Sequence, residues 1–154
     1  MPKIYKLHRD YIVKTDIDTA WDFIRSPQNL QKLTPKDISL DFITKLPDEM
    51  YDGLLIEFCV GLPVIGKQTW LTEIKNVREK HSFIDEQRVG PYKLWNHYHE
   101  IRPDDSGVRF TDHVHYSMPF CFIGNLAHAL YVKKKLNAIF DYREQQIAEL
   151  LLER

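Results

Sequence analysis

Two histidines and an aspartate stand at alternating positions in neighbouring segments of the chain. His97 and His99 are two residues apart, and Asp112 follows in the next segment. Side chains of a β-strand alternate between its faces, so the two imidazoles share a face if their segment is a strand. An imidazole oriented by a carboxylate can act as an acid–base pair. Two imidazoles and a carboxylate also resemble a set of metal ligands.

Three interpretations of this set remain open. A buried hydrogen-bond network is the simplest, because an unpaired buried polar group costs about 1–3 kcal/mol. Alternatively, these side chains and Gln87 on the neighbouring strand orient a bound molecule. Catalysis or metal binding is the least favoured, since no fourth ligand stands out, and we therefore predict no metal and no cofactor. We expect Arg143 to snorkel at a helix edge rather than to pair with an acidic group such as Asp112 or Asp85.

Residues 83–118 read as three successive strands, the last two being Tyr92 to Arg102 and Val108 to Met118. Their alternation predicts one shared face that carries Trp95, His97, His99, Ile101, Phe110, Asp112, Val114, Tyr116 and Met118. Imidazoles, a carboxylate and a phenol among apolar groups suit the wall of a ligand cavity better than a dry core.

The rest of the chain supplies elements to enclose that face. Ile4 to Lys14 predicts a first strand, and helix starts at Asp16 and at Ser26-Pro27 predict two short helices. Three further alternating segments predict strands, and the period becomes helical from about Asn125. The short connections predict an antiparallel meander. The fold class is therefore α+β: a curved seven-stranded antiparallel sheet around a long C-terminal helix, with two short helices between strands 1 and 2.

Composition narrows the partners. The 154 residues predict a single domain, 1–154, and 44% hydrophobic with 28% charged residues is ordinary for a globular protein. A net charge of -1 excludes a basic footprint for nucleic acid. The two cysteines form no metal or redox motif, and we find neither a signal-peptide core nor an apolar run long enough to span a membrane. We expect a cytoplasmic protein without stable membrane insertion.

Several motifs carry a family resemblance. These are Ser26-Pro27-Gln28-Asn29-Leu30, Leu33-Thr34-Pro35, Asp85-Glu86-Gln87-Arg88, Gly90-Pro91-Tyr92, Trp95-Asn96-His97, Asp112-His113-Val114-His115-Tyr116 and Ile139-Phe140-Asp141-Tyr142-Arg143. With the order of elements, they resemble the helix-grip fold of the START and Bet v 1-like (SRPBCC) superfamily, in its bacterial ligand-binding, polyketide cyclase/dehydrase-like branch. Where relatives often have Arg and Asp beside the valine of the last strand, this chain has His113 and His115, which we assign to the outer face.

The resemblance and the residue pattern lead to one functional expectation and two alternatives. We expect a small hydrophobic ligand, such as a lipid, an isoprenoid or an aromatic polyketide, in an internal cavity. The alternatives are a cyclase or dehydratase that uses His97 or His99 with Asp112, and a protein-interaction module. The predicted ligand-binding residues are Phe58, Trp70, Phe83, Gln87, Trp95, His97, His99, Asp112 and Tyr116.

Two apolar loops should lie at one end of the meander, because alternate turns share an end. We predict that they form the cavity entrance, with contact to a membrane surface or a second subunit left open. The entrance residues are Leu62, Val64, Ile65, Phe120 and Phe122.

Overall fold

A computed structural model describes residues 3–62 and 65–152. Its seven strands are β1 (Tyr5–Val13), β2 (Ser39–Phe42), β3 (Leu55–Leu62), β4 (Gly66–Arg78), β5 (Ser82–Val89), β6 (Leu94–Asp104) and β7 (Gly107–Ser117). The helical elements are α1 (Ile17–Ile24), a 3₁₀ turn (Pro27–Leu30), α2 (Cys121–Ala127), a π-helical segment (His128–Val132) and α3 (Lys133–Leu152).

The strands form one antiparallel sheet in the order β1-β7-β6-β5-β4-β3-β2. Strands β2 to β7 follow one another as a meander, and β1 pairs with β7, where Tyr5 lies opposite Tyr116 and Val13 opposite Val108. The predicted α+β helix-grip architecture is confirmed, with the two short helices between β1 and β2.

Local sequence explains how the elements between β1 and β2 begin. Asp16 caps α1, because its carboxylate accepts a hydrogen bond from the Thr19 backbone N–H at 2.9 Å. Pro27 then occupies the first position of the 3₁₀ turn, where a missing N–H costs nothing. Trp21 and Phe23 on α1 are almost completely buried, so α1 covers one end of the inner sheet face.

The C-terminal helical region begins earlier than predicted, at Cys121 rather than near Asn125. Phe120 precedes it in the left-handed conformation, with φ at 60°. The buried side of α3 carries Leu136, Phe140, Ile147 and Leu151. Among the described helices, none combines the length and the apolar character that a membrane span requires.

One turn requires its glycine. Gly107 begins β7 with φ at +142°, and a Cβ added to it would lie 2.1 Å from the carbonyl oxygen of Val13. No L side chain fits there, because both the backbone conformation and the space oppose it. This close approach lets the β6–β7 turn fit beside the end of β1.

Candidate functional site

A cavity of about 180 Å³ lies between the inner face of the sheet and the helices α1 and α3. Its lining is mostly aromatic and aliphatic. The principal apolar residues are Phe23, Leu30, Leu33, Ile56, Phe58, Trp70, Ile74, Phe83, Trp95, Ile101, Phe110 and Ile147. Few charged groups reach this wall. Besides Glu100 on β6, they fall into two sets.

The first set is a group of two carboxylates and two imidazoles, called here the Asp–His cluster: Asp85, His97, His99 and Asp112. Strand register brings them together, because His97 lies opposite Asp85 of β5 and His99 lies opposite Asp112 of β7. His97 and His99 are neighbours on the same face of β6, so each imidazole reaches both carboxylates. The imidazole rings lie 3.6 Å apart between their centroids.

Every ring nitrogen of the cluster faces a carboxylate oxygen. His97 contacts Asp85 through Nδ1 at 3.2 Å and Asp112 through Nε2 at 2.8 Å. His99 contacts Asp85 through Nε2 at 2.6 Å and Asp112 through Nδ1 at 3.1 Å. Four protons are needed to make all four contacts hydrogen bonds, since a carboxylate only accepts. Two imidazolium and two carboxylate groups would then carry no net charge.

The electrostatics agree with this charge pairing. Burial alone would raise the pKa of both carboxyl groups, but the charges and hydrogen bonds of His97 and His99 outweigh it and hold the pKa of Asp85 and of Asp112 well below the usual range. Burial alone would lower the pKa of His99, but hydrogen bonds to Asp112 and Asp85 raise it to about 9. Asp85, Asp112 and His99 are therefore charged although they are buried.

Two aromatic neighbours fix the orientation of the cluster. The indole Nε1 of Trp95 donates a hydrogen bond to Oδ1 of Asp85 at 3.1 Å, which turns Oδ2 towards the histidines. The ring of Phe83 stacks on His99 with centroids 4.2 Å apart. Trp95 and Phe83 both line the cavity, so the apolar lining is in direct contact with the polar cluster.

The second charged group on the wall is the guanidinium of Arg143 on α3. It lies over the ring of Phe140, with its central carbon 5.2 Å from the ring centroid. Its Nε is buried without a hydrogen-bond partner. Within the described part of the chain, Arg143 forms no ion pair with Asp112 or Asp85. The cavity thus contains an uncompensated hydrogen-bond donor.

The structure places most of the predicted ligand-binding residues on the cavity wall. These are Phe58, Trp70, Phe83, Trp95, His97, His99 and Asp112. Of the described residues, Gln87 and Tyr116 are not part of this lining. The amide of Gln87 exchanges hydrogen bonds with the backbone of Tyr92 and holds the β5–β6 turn. The hydroxyl of Tyr116 is hydrogen-bonded to Nε2 of His128 at 2.8 Å, outside the cavity.

The predicted entrance residues do not border the cavity either. Ile65 and Phe120 are exposed and Leu62 is half-buried, but none of the three belongs to its lining. Val64 and the side chain of Phe122 lie outside the described residues. The non-sheet walls come instead from α1, the 3₁₀ turn, Met50 and α3.

Sequence reasoning did not assign Asp85 to the site. Gln87 was a predicted site residue and lies two positions after Asp85 on the same strand. Strand alternation therefore already placed Asp85 on the same face. The missing information was the register of β5 against β6, which sets Asp85 opposite His97.

Comparison with solved structures now identifies the fold. A START superfamily protein from Mycobacterium smegmatis superposes with a TM-score of 0.71 at 10% identity, covering 96% of this chain and 97% of that one. Ginseng major latex-like protein 151 from Panax ginseng gives 0.69 at 13% identity, over 96% and 97% of the two chains. Ara h 8.0201 gives 0.65 at 14% identity, over 99% and 100%. The chain has the START/Bet v 1-like fold.

Sequence comparison adds nothing finer to this fold assignment. No protein-family profile matches the chain, and no curated protein sequence does. Identities this low establish the fold, and the function has to be argued from the cavity itself.

Proposed function

We propose that this START/Bet v 1-like domain binds a small, mainly apolar molecule that carries a hydrogen-bond acceptor at one end. The observation that carries the proposal is an aromatic cavity whose wall holds the guanidinium of Arg143 with a buried, unpartnered Nε. Apolar pockets with a few convergent polar groups are the usual form of a small-molecule site.

The volume limits the size of the ligand. About 180 Å³ is slightly more than an engineered cavity of about 150 Å³ that holds benzene, and less than the roughly 300–1,000 Å³ of typical drug-sized pockets. One or two fused rings, or a short isoprenoid, match this space. A complete lipid chain would require the helices to move away from the sheet.

The charge pattern limits the polar end of the ligand. A guanidinium only donates hydrogen bonds, so its partner has to be an acceptor such as a carbonyl or a carboxylate. The imidazoles of the Asp–His cluster are fully engaged with Asp85 and Asp112. We therefore assign the first contact with the ligand's oxygen to Arg143 and a shaping role to His97, His99 and Asp112.

The same engagement favours binding over acid–base catalysis. A general base needs a ring nitrogen within hydrogen-bond reach of the substrate, with a lone pair to accept the proton. In the Asp–His cluster all four nitrogens already contact carboxylates. A cyclase or dehydratase mechanism would first have to break one of these contacts.

The test compares an acidic with a neutral ligand of the same shape. Titration calorimetry with naphthoate and with naphthalene should give binding to the wild-type protein. Arg143→Met should weaken naphthoate binding by about 10- to 100-fold, because a charged hydrogen bond contributes about 1.5–3 kcal/mol. Naphthalene binding should change less than about 3-fold, since it makes no such bond.

Arg109→Met is the matched control, because Arg109 is a surface arginine paired with Asp10 and Asp104. It should leave both affinities unchanged. Absence of binding by both probes, together with purified protein that shows no bound molecule in native mass spectrometry, would refute the proposed function. Equal losses for the two probes in Arg143→Met would refute the role of the guanidinium.

A further inference from the structure

One side of the Asp–His cluster has the composition of a metal site. Asp85, His97 and His99 each offer a donor atom, and these three atoms lie within 4.8 Å of one another. We propose that they bind one divalent transition-metal ion, such as Zn²⁺ or Co²⁺, through His97 Nδ1, His99 Nε2 and Asp85 Oδ2. The proposal does not depend on which molecule occupies the cavity.

The distances are close to those around such an ion. Bonds from zinc to nitrogen and oxygen are about 2.0–2.2 Å, which places neighbouring donors of a tetrahedral site roughly 3.3 Å apart. Oδ2 of Asp85 lies 3.2 Å from His97 Nδ1 and 2.6 Å from His99 Nε2. These two separations differ from the tetrahedral value by less than about 1 Å, and the two nitrogens lie within 4.8 Å of each other.

The remaining contacts have the form of an outer coordination shell. Metal-bound histidines usually donate their other N–H to a carboxylate, which fixes the tautomer. Asp112 occupies this position for both histidines, since its Oδ1 lies 2.8 Å from His97 Nε2 and 3.1 Å from His99 Nδ1. The ligating carboxylate is held as well, by the indole N–H of Trp95.

The charge balance also permits one divalent ion to replace two protons of the cluster. The metal-free cluster with four hydrogen bonds holds two protons between Asp85 and the histidines. Binding of one divalent ion releases these two protons to solvent and leaves the total charge unchanged. The other two protons stay on His97 Nε2 and His99 Nδ1, bonded to Asp112. No unpaired charge is created in the buried wall.

Three protein ligands leave at least one coordination position open. All three residues belong to the cavity lining, so this position is available to water or to an oxygen of a bound molecule. The donor set of two imidazoles and a carboxylate suits zinc, cobalt or ferrous iron better than magnesium or calcium, which prefer oxygen ligands.

A second histidine pair provides the control. His8 and His113 stack on the outer face of the sheet, with their Nδ1 atoms 3.1 Å apart. They are a surface pair, and among residues 3–62 and 65–152 their rings are hydrogen-bonded to each other and not to a carboxylate. Metal bound there would be adventitious, and the experiment has to distinguish the two places.

The experiment titrates chelator-treated full chain with Co²⁺, followed by its visible absorption, and with Zn²⁺, followed by calorimetry. We expect one ion per chain. Asp85→Asn and His99→Gln should each weaken binding by at least about 100-fold, and Asp112→Asn by about 10- to 100-fold. The double variant His8→Gln/His113→Gln should change the affinity less than about 2-fold.

Nitrogen NMR of histidine-labelled wild-type protein gives a result that does not depend on variants folding. Zn²⁺ should shift His97 Nδ1 and His99 Nε2, while His97 Nε2 and His99 Nδ1 keep their protons. The proposal is overturned if no ion binds, if only the signals of His8 and His113 respond, or if folded Asp85→Asn binds as tightly as the wild type.

Discussion

Asp112 shows how much of the site depends on single buried charges. Its carboxylate contacts both histidines of the Asp–His cluster, and its side chain is only 15% exposed. Removing one partner from a buried charged network is costly because the other charges lose their compensation. The effect should far exceed that of an ion pair at the surface.

Asp112→Asn should therefore destabilise the metal-free protein by about 3–5 kcal/mol. Asp104→Asn, which loses an ion pair with Arg109 in the β6–β7 turn, should leave the unfolding midpoint nearly unchanged. Urea unfolding followed by tryptophan fluorescence measures both. Similar small effects in the two variants would show that the cluster does not contribute to stability.

For individual residues, the sequence predicted which side chains share a strand face better than it predicted which groups they contact. Alternation correctly placed His97, His99 and Asp112 on one face, because a strand leaves only two choices. Gln87 lies on the same face of β5 as Asp85, yet its amide is hydrogen-bonded to the backbone of Tyr92 across the β5–β6 turn. That exchange depends on the conformation of residues 90–93, which alternation does not determine.

Among the elements, the β6–β7 hairpin and β1 are joined through Gly107. Its positive φ and its approach to the Val13 carbonyl act together, whereas Gly53 has φ at +84° and open space around its Cβ position. Comparison of Gly53 with Gly107 therefore separates the cost of a left-handed backbone from the cost of steric overlap.

Gly53→Ala should cost about 1 kcal/mol of unfolding free energy, from the left-handed backbone alone. Gly107→Ala should cost about 3 kcal/mol or more, because β1 or the turn also has to shift. Thermal and urea unfolding of the two variants provide the comparison. Equal losses would mean that the close approach to Val13 is relieved without cost.

The π-helical segment is attached to the sheet by His128. Its ring stacks on Tyr5 with centroids 3.5 Å apart and is hydrogen-bonded to Tyr116. Burial, followed by the charges of Lys3 and Lys133, lowers the pKa of His128. The neutral form fits this place, because its Nε2 can then accept from the tyrosine hydroxyl.

The contribution of His128 to stability should consequently decrease as the pH falls, opposite in sign to that of His99, whose pKa is raised. The unfolded chain takes up a proton on His128 near pH 6.5, whereas the folded chain takes it up only at lower pH, so protonation favours unfolding below about pH 6.5. His128→Gln keeps an acceptor without the titration, so the melting temperature of this variant should rise relative to that of the wild type between about pH 7.5 and pH 5.5. The same pH dependence in both proteins would contradict this assignment.

Secondary structure was predictable where a regular period existed. The seven strands and α3 follow alternation and helical spacing, and Asp16 marks the start of α1. The start of α2 was not predictable, because a large apolar residue such as Phe120 rarely adopts the left-handed conformation. The π-helical segment has no distinct residue pattern either.

For the whole molecule, the order of elements was sufficient to predict a sheet closed over a terminal helix. The size of the space left inside was not predictable, because it depends on how the side chains of Phe23, Leu33 and Ile147 pack. Leu33 and Leu46 are both partly buried leucines packed against the same core, but only Leu33 borders the cavity.

Leu33→Trp should therefore fill the cavity and weaken naphthoate binding by about 10-fold or more, because the added ring occupies the space of the ligand. Leu46→Trp adds the same volume elsewhere and should leave the affinity within about 2-fold. Calorimetry on both variants, with circular dichroism to confirm folding, measures the difference. Unchanged binding to Leu33→Trp would place the ligand outside this cavity.

The π-helical segment also sets the phase between the two helices that it joins. Each π turn holds about one residue more than an α turn, which advances the following backbone by about 100° around the axis. Leu136 and Phe140 are buried against the sheet, whereas Ile123 and Leu130 are exposed. Deleting one residue between His128 and Val132 would restore an uninterrupted α-helix and turn α2 about its axis, so this short stretch determines which surface the preceding helix presents.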